Sequence, residues 1–216
     1  MKSSVLVCAC AVAAAALPAR AVIVGTIDTF QDGTVQGWSG ANPANVPTGG
    51  TAGTGDAFLK LSSVGVAGPA GRPATYNSDS RWAGDYLAAG VTRIEADCLN
   101  MGTATLQMRL VLFQGSSNRY TSTVASSLPA DGAWHHFLFA VDQGSLTRVG
   151  GTLTYSQLMT NVTSVMLRHQ AGAPAGGGTP IATTLGIDNI QVVPAPGAAF
   201  ALGLAFTFGG RRGRRA

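Results

Sequence analysis

Short runs of apolar and β-branched residues alternate along this chain with segments rich in Gly, Ser, Pro, Asn and Asp. Such runs are typical of β-strands separated by turns. They predict strands over residues 22–30, 57–62, 92–99, 106–114, 120–125, 135–141, 164–169 and 184–192. Residues 41–55 are predicted to form a long loop, and residues 155–161 a single helical turn. No long stretch repeats at the helical period, so the pattern predicts an all-β fold, an antiparallel β-sandwich of the jelly-roll type.

Alternation within two of these strands predicts how they pair. Alternate residues from 94 to 98 are apolar, and so are alternate residues from 106 to 112. A hairpin that turns around Met101 would place these two apolar faces together and set Glu95 opposite Arg109. The sequence therefore predicts an antiparallel hairpin with one core face and one solvated face.

The first 21 residues have the three parts of a secretory signal. Lys2 precedes a short apolar stretch, and small residues follow at Ala19 and Ala21. We expect a signal helix that is cleaved after Ala21, with export through the Sec pathway. A transmembrane anchor is the alternative, but the stretch is shorter than the roughly 20 residues that span a bilayer. A lipoprotein would need Cys8 or Cys10 as its acylated residue, and both lie inside the apolar stretch.

Three parts follow one another in the tail: a proline box, an apolar run of about half a membrane span, and an arginine cluster. They comprise Val193, Pro194, Ala195, Pro196 and Gly197, then residues 198–208, then Arg211, Arg212, Arg214 and Arg215. This order resembles the PEP-CTERM sorting signals of exported bacterial proteins. The resemblance implies a short C-terminal apolar helix in contact with the inner membrane, an exosortase as partner, and a location in the cell envelope, on the cell surface or outside the cell. Ala195 stands where that family usually has Glu. The alternative is a Pro-rich linker with a basic tail that binds anionic lipid or nucleic acid.

The charge of the chain is concentrated in these two terminal segments. The sequence holds 14 Lys and Arg against 10 Asp and Glu, for a formal net charge of +4. Lys2, Arg20 and the four tail arginines account for six of the positive charges and none of the acidic ones, so residues 22–193 carry eight positive and ten negative charges. This balance gives no electrostatic support for nucleic-acid binding. Cys98 is the one cysteine of this region, which excludes an internal disulfide.

Four segments of the interior carry a second resemblance. They are residues 28–33 followed by Trp38, then residues 134–139, 162–167 and 186–190. They resemble the jelly rolls of carbohydrate-binding modules of the galactose-binding-like type, over nearly the whole interior. The resemblance implies a domain that binds glycan or polysaccharide without turning it over.

The same resemblance implies a structural Ca²⁺ that ties the first strand to the last. Its ligands would be Asp28 or Asp32 together with Asp188, and Asp56 is a third candidate. Ca²⁺ takes about six to eight hard oxygen ligands and tolerates irregular geometry. The alternative is that Asp32 caps a turn before Gly33 and that Asp188 is a solvated or backbone-bonded carboxylate.

Aromatic rings beside polar side chains are the expected platforms for sugars. The candidates are Trp82, Tyr86, Tyr76 and Tyr120, because each lies near Arg, Asn, Asp or Ser in the sequence. Burial of these rings under a loop is the alternative. Trp38 and Trp134 are predicted to lie in the core.

Catalytic arrangements have weaker support. Adjacent His135 and His136 on one strand would point to opposite faces and could not easily close on one metal. Glu95 and Asp97 share a face about 7 Å apart, a separation that serves glycoside hydrolysis. The predicted ion pair with Arg109 would lower the pKa of Glu95 and leave it a poor general acid.

Three hypotheses follow. The chain is an exported non-enzymatic protein that binds glycan, a structural surface protein without a small ligand, or a glycoside-active enzyme that uses Glu95 and Asp97. The first is favoured by the tail and by the sandwich pattern.

Overall fold

Two antiparallel sheets form the framework of residues 22–196, the part of the chain that the computed structural model describes. In chain order the strands are β1 (Ile27–Asp28), β2 (Ser39–Gly40), β3 (Ala44–Val46), β4 (Phe58–Val64), β5 (Ala74–Asn77), β6 (Val91–Asn100), β7 (Leu106–Gln114), β8 (Asn118–Ser122), β9 (Ser126–Leu128), β10 (Trp134–Ala140), β11 (Leu146–Gly150), β12 (Ser164–His169) and β13 (Ala182–Pro194). Helix α1 (Tyr155–Met159) lies between β11 and β12, and a 3₁₀ turn spans Pro69–Gly71.

The two sheets stack face to face with the core between them. The first sheet has the order β10-β6-β13-β4-β3, with β1 paired to β13. The second has the order β11-β8-β7-β12-β5-β2, with β9 paired to β7. The inward faces meet as one apolar cluster, which includes Ile94 and Cys98 from β6 and Leu110 and Leu112 from β7. Burial raises the pKa of the Cys98 thiol, so this cysteine is an inert part of the core.

The predicted hairpin between residues 92–99 and 106–114 is wrong. β6 pairs with β10 and β13 in the first sheet, and β7 pairs with β8, β9 and β12 in the second. The short connection around Met101 crosses from one sheet to the other, so the two apolar faces meet across the core and not side by side. Alternation identified the buried faces correctly, but it cannot distinguish pairing within a sheet from packing between sheets.

Most of the predicted strands are confirmed, with three local differences. Only Ile27–Asp28 of residues 22–30 forms a strand, and only the first three of residues 120–125 do, as the end of β8. The predicted long loop at residues 41–55 contains the short strand β3. The strands that the pattern missed are the short ones, β2, β3, β5, β9 and β11, in which two to five residues are too few to display an alternation.

The predicted helical turn at residues 155–161 is confirmed as α1. Thr154 forms its N-cap, with a capping box that includes the side chain of Gln157. Leu158 and Met159 anchor the turn in the core.

Candidate functional site

A groove with a volume of about 260 Å³ lies on the outer face of the second sheet, away from the core. Side chains of β5, β7, β8 and β12 form its floor, and the loop between β12 and β13 forms one wall. Its lining residues are Gly40, Arg72, Ala74, Tyr76, Phe113, Ser116, Arg119, Met166, Arg168 and Gly176 to Gly178. The floor faces outward because these strand positions alternate with the buried positions of the same strands.

Tyr76 provides the exposed aromatic ring of the groove. Its side chain is 42% exposed, and the strand register sets it between Met166 of β12 and Ser39 of β2. Half-buried Phe113 also lines the floor, with the guanidinium of Arg119 5.6 Å from the centre of its ring. The groove thus combines an exposed phenol ring with neighbouring apolar and cationic side chains. The ring can stack on a flat apolar surface of a ligand, and the cationic groups can bind its polar atoms.

Three arginines fasten the loop of residues 170–181 to this face. Arg109 donates to the carbonyl of Gly172 at 2.7 Å, and Arg119 and Arg168 donate to the carbonyl of Gly176 at 2.9 and 3.0 Å. The sequence alone did not identify these arginines as residues of a groove, and it placed Arg109 opposite Glu95. Their signal is visible only once β7 and β12 are known to pair, because the register then sets Arg168 directly opposite Arg109.

The other three aromatic candidates are buried, so the structure corrects their assignment as sugar platforms. Trp82, Tyr86 and Tyr120 are 1%, 0% and 8% exposed. Each places its polar atom on an internal acceptor: Trp82 on Asp28, Tyr86 on the carbonyl of Trp82, and Tyr120 on the carbonyl of Leu153. For these three residues, polar neighbours in the sequence therefore indicated buried rings whose polar atoms are hydrogen-bonded inside the fold, and not a binding surface.

The two tryptophans predicted for the core differ from one another. Trp38 is buried and packs edge to face on Trp82 with ring centres 5.2 Å apart. Trp134 is half-buried on the first sheet, where it packs on Phe58 at 5.4 Å above the backbone of Gly186. A side chain at Gly186 would meet both rings, which is why this position of β13 has none.

Asp28 and Asp32, the candidate calcium ligands near the start of the chain, have separate partners within the protein. Asp28 is fully buried, where it accepts hydrogen bonds from the indoles of Trp38 and Trp82 and pairs with Arg81 at 2.7 Å. Asp32 is exposed and caps its own turn through the backbone and hydroxyl of Thr34. Both carboxylates are thus engaged by the chain, and for Asp32 this is the turn-capping alternative.

Asp56 and Asp188 do approach one another. An oxygen of each would lie within 3 Å of a side-chain carbon placed at Gly50, at 2.6 and 2.9 Å. Asp188 is buried and accepts from the backbone and hydroxyl of Thr51, both at 3.1 Å. Burial and then the Asp56 carboxylate raise the pKa of Asp188. Within residues 22–196, no group of three or more His, Cys, Asp or Glu side chains is arranged to hold a metal ion.

Glu95 and Asp97 lie on the outer face of the first sheet and are held by neighbours. Arg93, not the predicted Arg109, pairs with Glu95, because β7 lies in the other sheet. Glu95 also accepts from Gln191 at 2.7 Å. Asp97 contacts Nδ1 of His136 at 2.8 Å.

The two adjacent histidines engage different carboxylates, and this agrees with their predicted opposite orientation. His135 contacts Asp131 at 3.0 Å, and His136 contacts Asp97. Among the described residues, neither ring belongs to a group of three or more potential metal ligands.

A second recess, of about 290 Å³, lies at the edge of the sandwich between β8 and β10. Serine and small residues line most of it, together with Leu138, which is 58% exposed. It has no charged side chain among its lining residues. The first groove therefore offers the richer chemistry of the two.

The sorting-signal residues fall only partly within the described chain. Val193 and Pro194 end β13, and the N–H of Ala195 donates to the carbonyl of Gly90 at 2.8 Å. The predicted signal helix and the predicted apolar tail helix, together with Gly197 and the four tail arginines, fall on residues outside those described. Within residues 22–196, no helix is long and apolar enough to cross a membrane.

Three solved structures share this architecture. An exo-β-agarase matches with a TM-score of 0.55 at 14% identity over 78% of this chain, which spans 25% of that protein. The family 11 carbohydrate-binding module of a cellulosomal cellulase of Clostridium thermocellum matches with a TM-score of 0.51 at 17% identity, over 81% of this chain and 96% of the module. A second agarase matches with a TM-score of 0.51 at 10% identity, over 78% of this chain and 24% of that one.

No family model matches the chain, and no curated protein resembles it in sequence. At identities of 10 to 17%, the structural similarities show the fold alone. They confirm the predicted β-sandwich of the jelly-roll type and its likeness to carbohydrate-binding modules at the level of the fold.

Proposed function

We propose that this protein binds a polysaccharide without turnover, through the groove on the outer face of the second sheet. The observation that carries the proposal is the ring of Tyr76, which is exposed in a groove whose other lining residues are arginines, glycines, a serine and a few apolar side chains such as Phe113 and Met166. An exposed phenol gives a sugar ring a flat apolar surface, and the surrounding polar groups can bind its hydroxyls.

The extent of the structural similarities supports a binding module over a whole enzyme. The chain spans nearly all of a carbohydrate-binding module but only about a quarter of each agarase. The groove has no carboxylate among its lining residues, whereas glycoside hydrolysis uses a pair of them. Glu95 and Asp97 lie on the opposite sheet and are engaged by Arg93, Gln191 and His136.

We also propose that the protein is exported and sorted at the cell envelope. Support comes from the sequence: the leader that ends at Ala21, the proline box, the apolar run and the arginine cluster. In this proposal an exosortase cuts at the box, and the C-terminal helix contacts the inner membrane. The box begins in the last residues of β13, so cleavage beyond Pro194 would leave the strands of the sandwich intact.

A structural Ca²⁺ at Asp56 and Asp188 is the part of the predicted metal site that we retain. Two carboxylates that face each other with no basic partner in the described residues suit a hard cation. Both also accept hydrogen bonds from the chain, Asp56 from Gln31 and Ala52, and Asp188 from Thr51 and Asn189. Thr51 contributes a hydroxyl beside them. The ion would join the loop before β4 to the last strand, which lies in the middle of the first sheet.

Affinity electrophoresis in gels that contain polysaccharides tests the binding proposal. We expect a panel of neutral and acidic polysaccharides to retard the wild-type protein in at least one gel. Tyr76→Ala should abolish this retardation, whereas Leu138→Ala, which removes an exposed side chain from the second recess, should leave it unchanged. Tyr76 is exposed, so its loss should leave the melting temperature nearly unchanged.

Three outcomes would contradict the proposal. They are the absence of retardation across the panel, equal retardation of the Tyr76→Ala and wild-type proteins, and loss of retardation in Leu138→Ala alone. The first would favour a structural protein without a small ligand, and the last would favour the second recess.

A further inference from the structure

Four arginines cluster at the groove. Arg72, Arg119 and Arg168 line it, and Arg109 lies beside it, opposite Arg168 in the strand register. Directly opposed like charges on neighbouring strands are destabilising. Half of the eight basic side chains of residues 22–196 are therefore gathered on one face of the domain.

No carboxylate compensates this charge within the described part of the chain. The arginines that form ion pairs there are Arg81 and Arg93, which pair with Asp28, Asp79 and Glu95. The groove arginines that have partners donate to backbone carbonyls and, for Arg168, to the amide oxygen of Gln170 as well, and these oxygens carry only partial charges.

Several donors of the cluster have no partner at all. The Nε atoms of all four arginines are buried and make no hydrogen bond. Arg72 is half-buried, lines the groove and makes no hydrogen bond or ion pair within residues 22–196. A guanidinium in such a position normally has an acceptor, because an unsatisfied buried donor costs about 1–3 kcal/mol.

The four arginines also affect one another's charge. Burial first, and then the charges of Arg119, Arg109 and Arg72, together lower the pKa of Arg168 to about 10. Arg168 is 2% exposed and Arg109 is 3% exposed, so water screens them poorly. An anion at this face would relieve the repulsion and give the terminal guanidinium nitrogens of Arg72 an acceptor.

The rest of the molecule has the opposite character. Glu95, Asp97 and Asp188 lie on or near the outer side of the first sheet, and residues 22–196 carry ten acidic against eight basic side chains. A domain with this balance is not a general polyanion binder, since nonspecific binding needs an excess of positive charge. The affinity for anions should therefore be local to the groove.

We propose that the ligand of the groove is an acidic polysaccharide, whose carboxylate or sulfate groups bind Arg72 and Arg119 while a sugar ring stacks on Tyr76. This inference rests on the proposed function and names its ligand class. The planar guanidinium binds both anions in a bidentate manner. Arg109 and Arg168 remain on the loop carbonyls and contribute through their charge.

The test compares polymers of different charge, of which dextran sulfate and dextran share a backbone. Purified protein is run through gels that contain polygalacturonate, dextran sulfate, neutral dextran or double-stranded DNA. We expect retardation by at least one of the two acidic polysaccharides, which identifies the anion as carboxylate or sulfate, and none by dextran. Retardation should weaken as salt is added.

Arg72→Gln is the diagnostic variant, because this side chain has no partner in the described residues whose loss would disturb the fold. It should reduce the affinity about tenfold, the effect of one charged hydrogen bond. Arg119→Gln is a second variant, which also removes hydrogen bonds to the carbonyls of Gly176 and Ser116, so its melting temperature is measured beside its affinity. Arg148→Gln is the matched control: it removes the same charge from an exposed side chain of β11 that donates to the carbonyl of Thr152.

The outcomes separate this inference from the proposed function. Retardation by neutral polysaccharide that is lost in Tyr76→Ala but kept in Arg72→Gln and Arg119→Gln would overturn the acidic ligand and retain the groove. Equal losses of retardation in Arg72→Gln and Arg148→Gln would show a general effect of charge and would also overturn the acidic ligand. Retardation by DNA as strong as that by the acidic polysaccharides would point to a nucleic acid in place of a polysaccharide.

Discussion

The indole N–H of Trp38 donates a 2.8 Å hydrogen bond to the carboxylate of Asp28 in the interior of the sandwich. Trp82 donates to the same oxygen at 3.1 Å, and Arg81 pairs with the other oxygen. One carboxylate therefore satisfies two buried indoles and connects β1 to the segment after β5. The stability of this end of the fold depends on it.

Removal of this carboxylate should destabilise the protein strongly. Asp28→Ala leaves both indole donors without an acceptor, and we expect a loss of about 2 kcal/mol or more in the free energy of unfolding. Asp28→Asn retains one oxygen and should lose less. Urea unfolding measures both. Asp32→Asn is the control, because that side chain is exposed and caps only its own turn; a loss for Asp28→Ala no greater than for this control would contradict the interpretation.

Calcium should stabilise the protein through Asp56 and Asp188. We expect CaCl₂ to raise the melting temperature of the wild-type protein, since an ion that binds only the folded state shifts unfolding by mass action. The Asp188→Asn variant should lose this response, and Asp32→Asn should keep it. Differential scanning fluorimetry with and without a chelator gives the answer. An equal calcium response in wild type and Asp188→Asn would exclude this pair as the site.

His169 should make the protein less stable in mild acid. Its ring is buried and its Nδ1 accepts from the N–H of Gln107 at 2.8 Å. Burial lowers the pKa of this ring below its ordinary value of 6.5. The unfolded chain therefore takes up a proton at this ring before the folded protein does, and the stability that is present above pH 6.5 is lost as the pH falls towards the lowered pKa.

The His169→Asn variant isolates this contribution. Asn keeps an oxygen that can accept from Gln107 but does not titrate, so its stability between pH 7 and about 5 should fall less steeply than that of the wild type. Urea midpoints across this range measure the difference. Parallel curves for the two proteins would mean that His169 does not contribute to the acid sensitivity.

The sequence predicted the faces of the strands better than their partners. The alternation from Ile94 to Cys98 and from Leu106 to Leu112 marked residues that are all buried. The predicted pairing of these two strands was wrong because two apolar faces also match when they pack against each other across a core. The five residues that connect β6 to β7 are enough for the chain to cross from one sheet to the other. Short strands such as β2 and β5, which border the groove, lack the length to show any period.

The site was harder to predict because its signals depend on the tertiary structure. Trp82 and Tyr86 have polar neighbours in sequence, but their own polar atoms find partners inside the fold. Tyr76 differs from them only in that its strand turns it outward. Arg109 and Arg168 are 59 positions apart in the chain, and only the pairing of β7 with β12 makes them neighbours.

Mapping the ligand footprint tests the central claim, that the outer face of the second sheet binds polysaccharide. The measurement is the change in backbone amide NMR shifts when oligosaccharides of the retarding polymer are added to ¹⁵N-labelled protein. We expect the largest changes at Arg72, Tyr76, Arg119 and Met166. Changes centred on His136 and Leu138 of the opposite sheet, with none at Tyr76, would contradict the account.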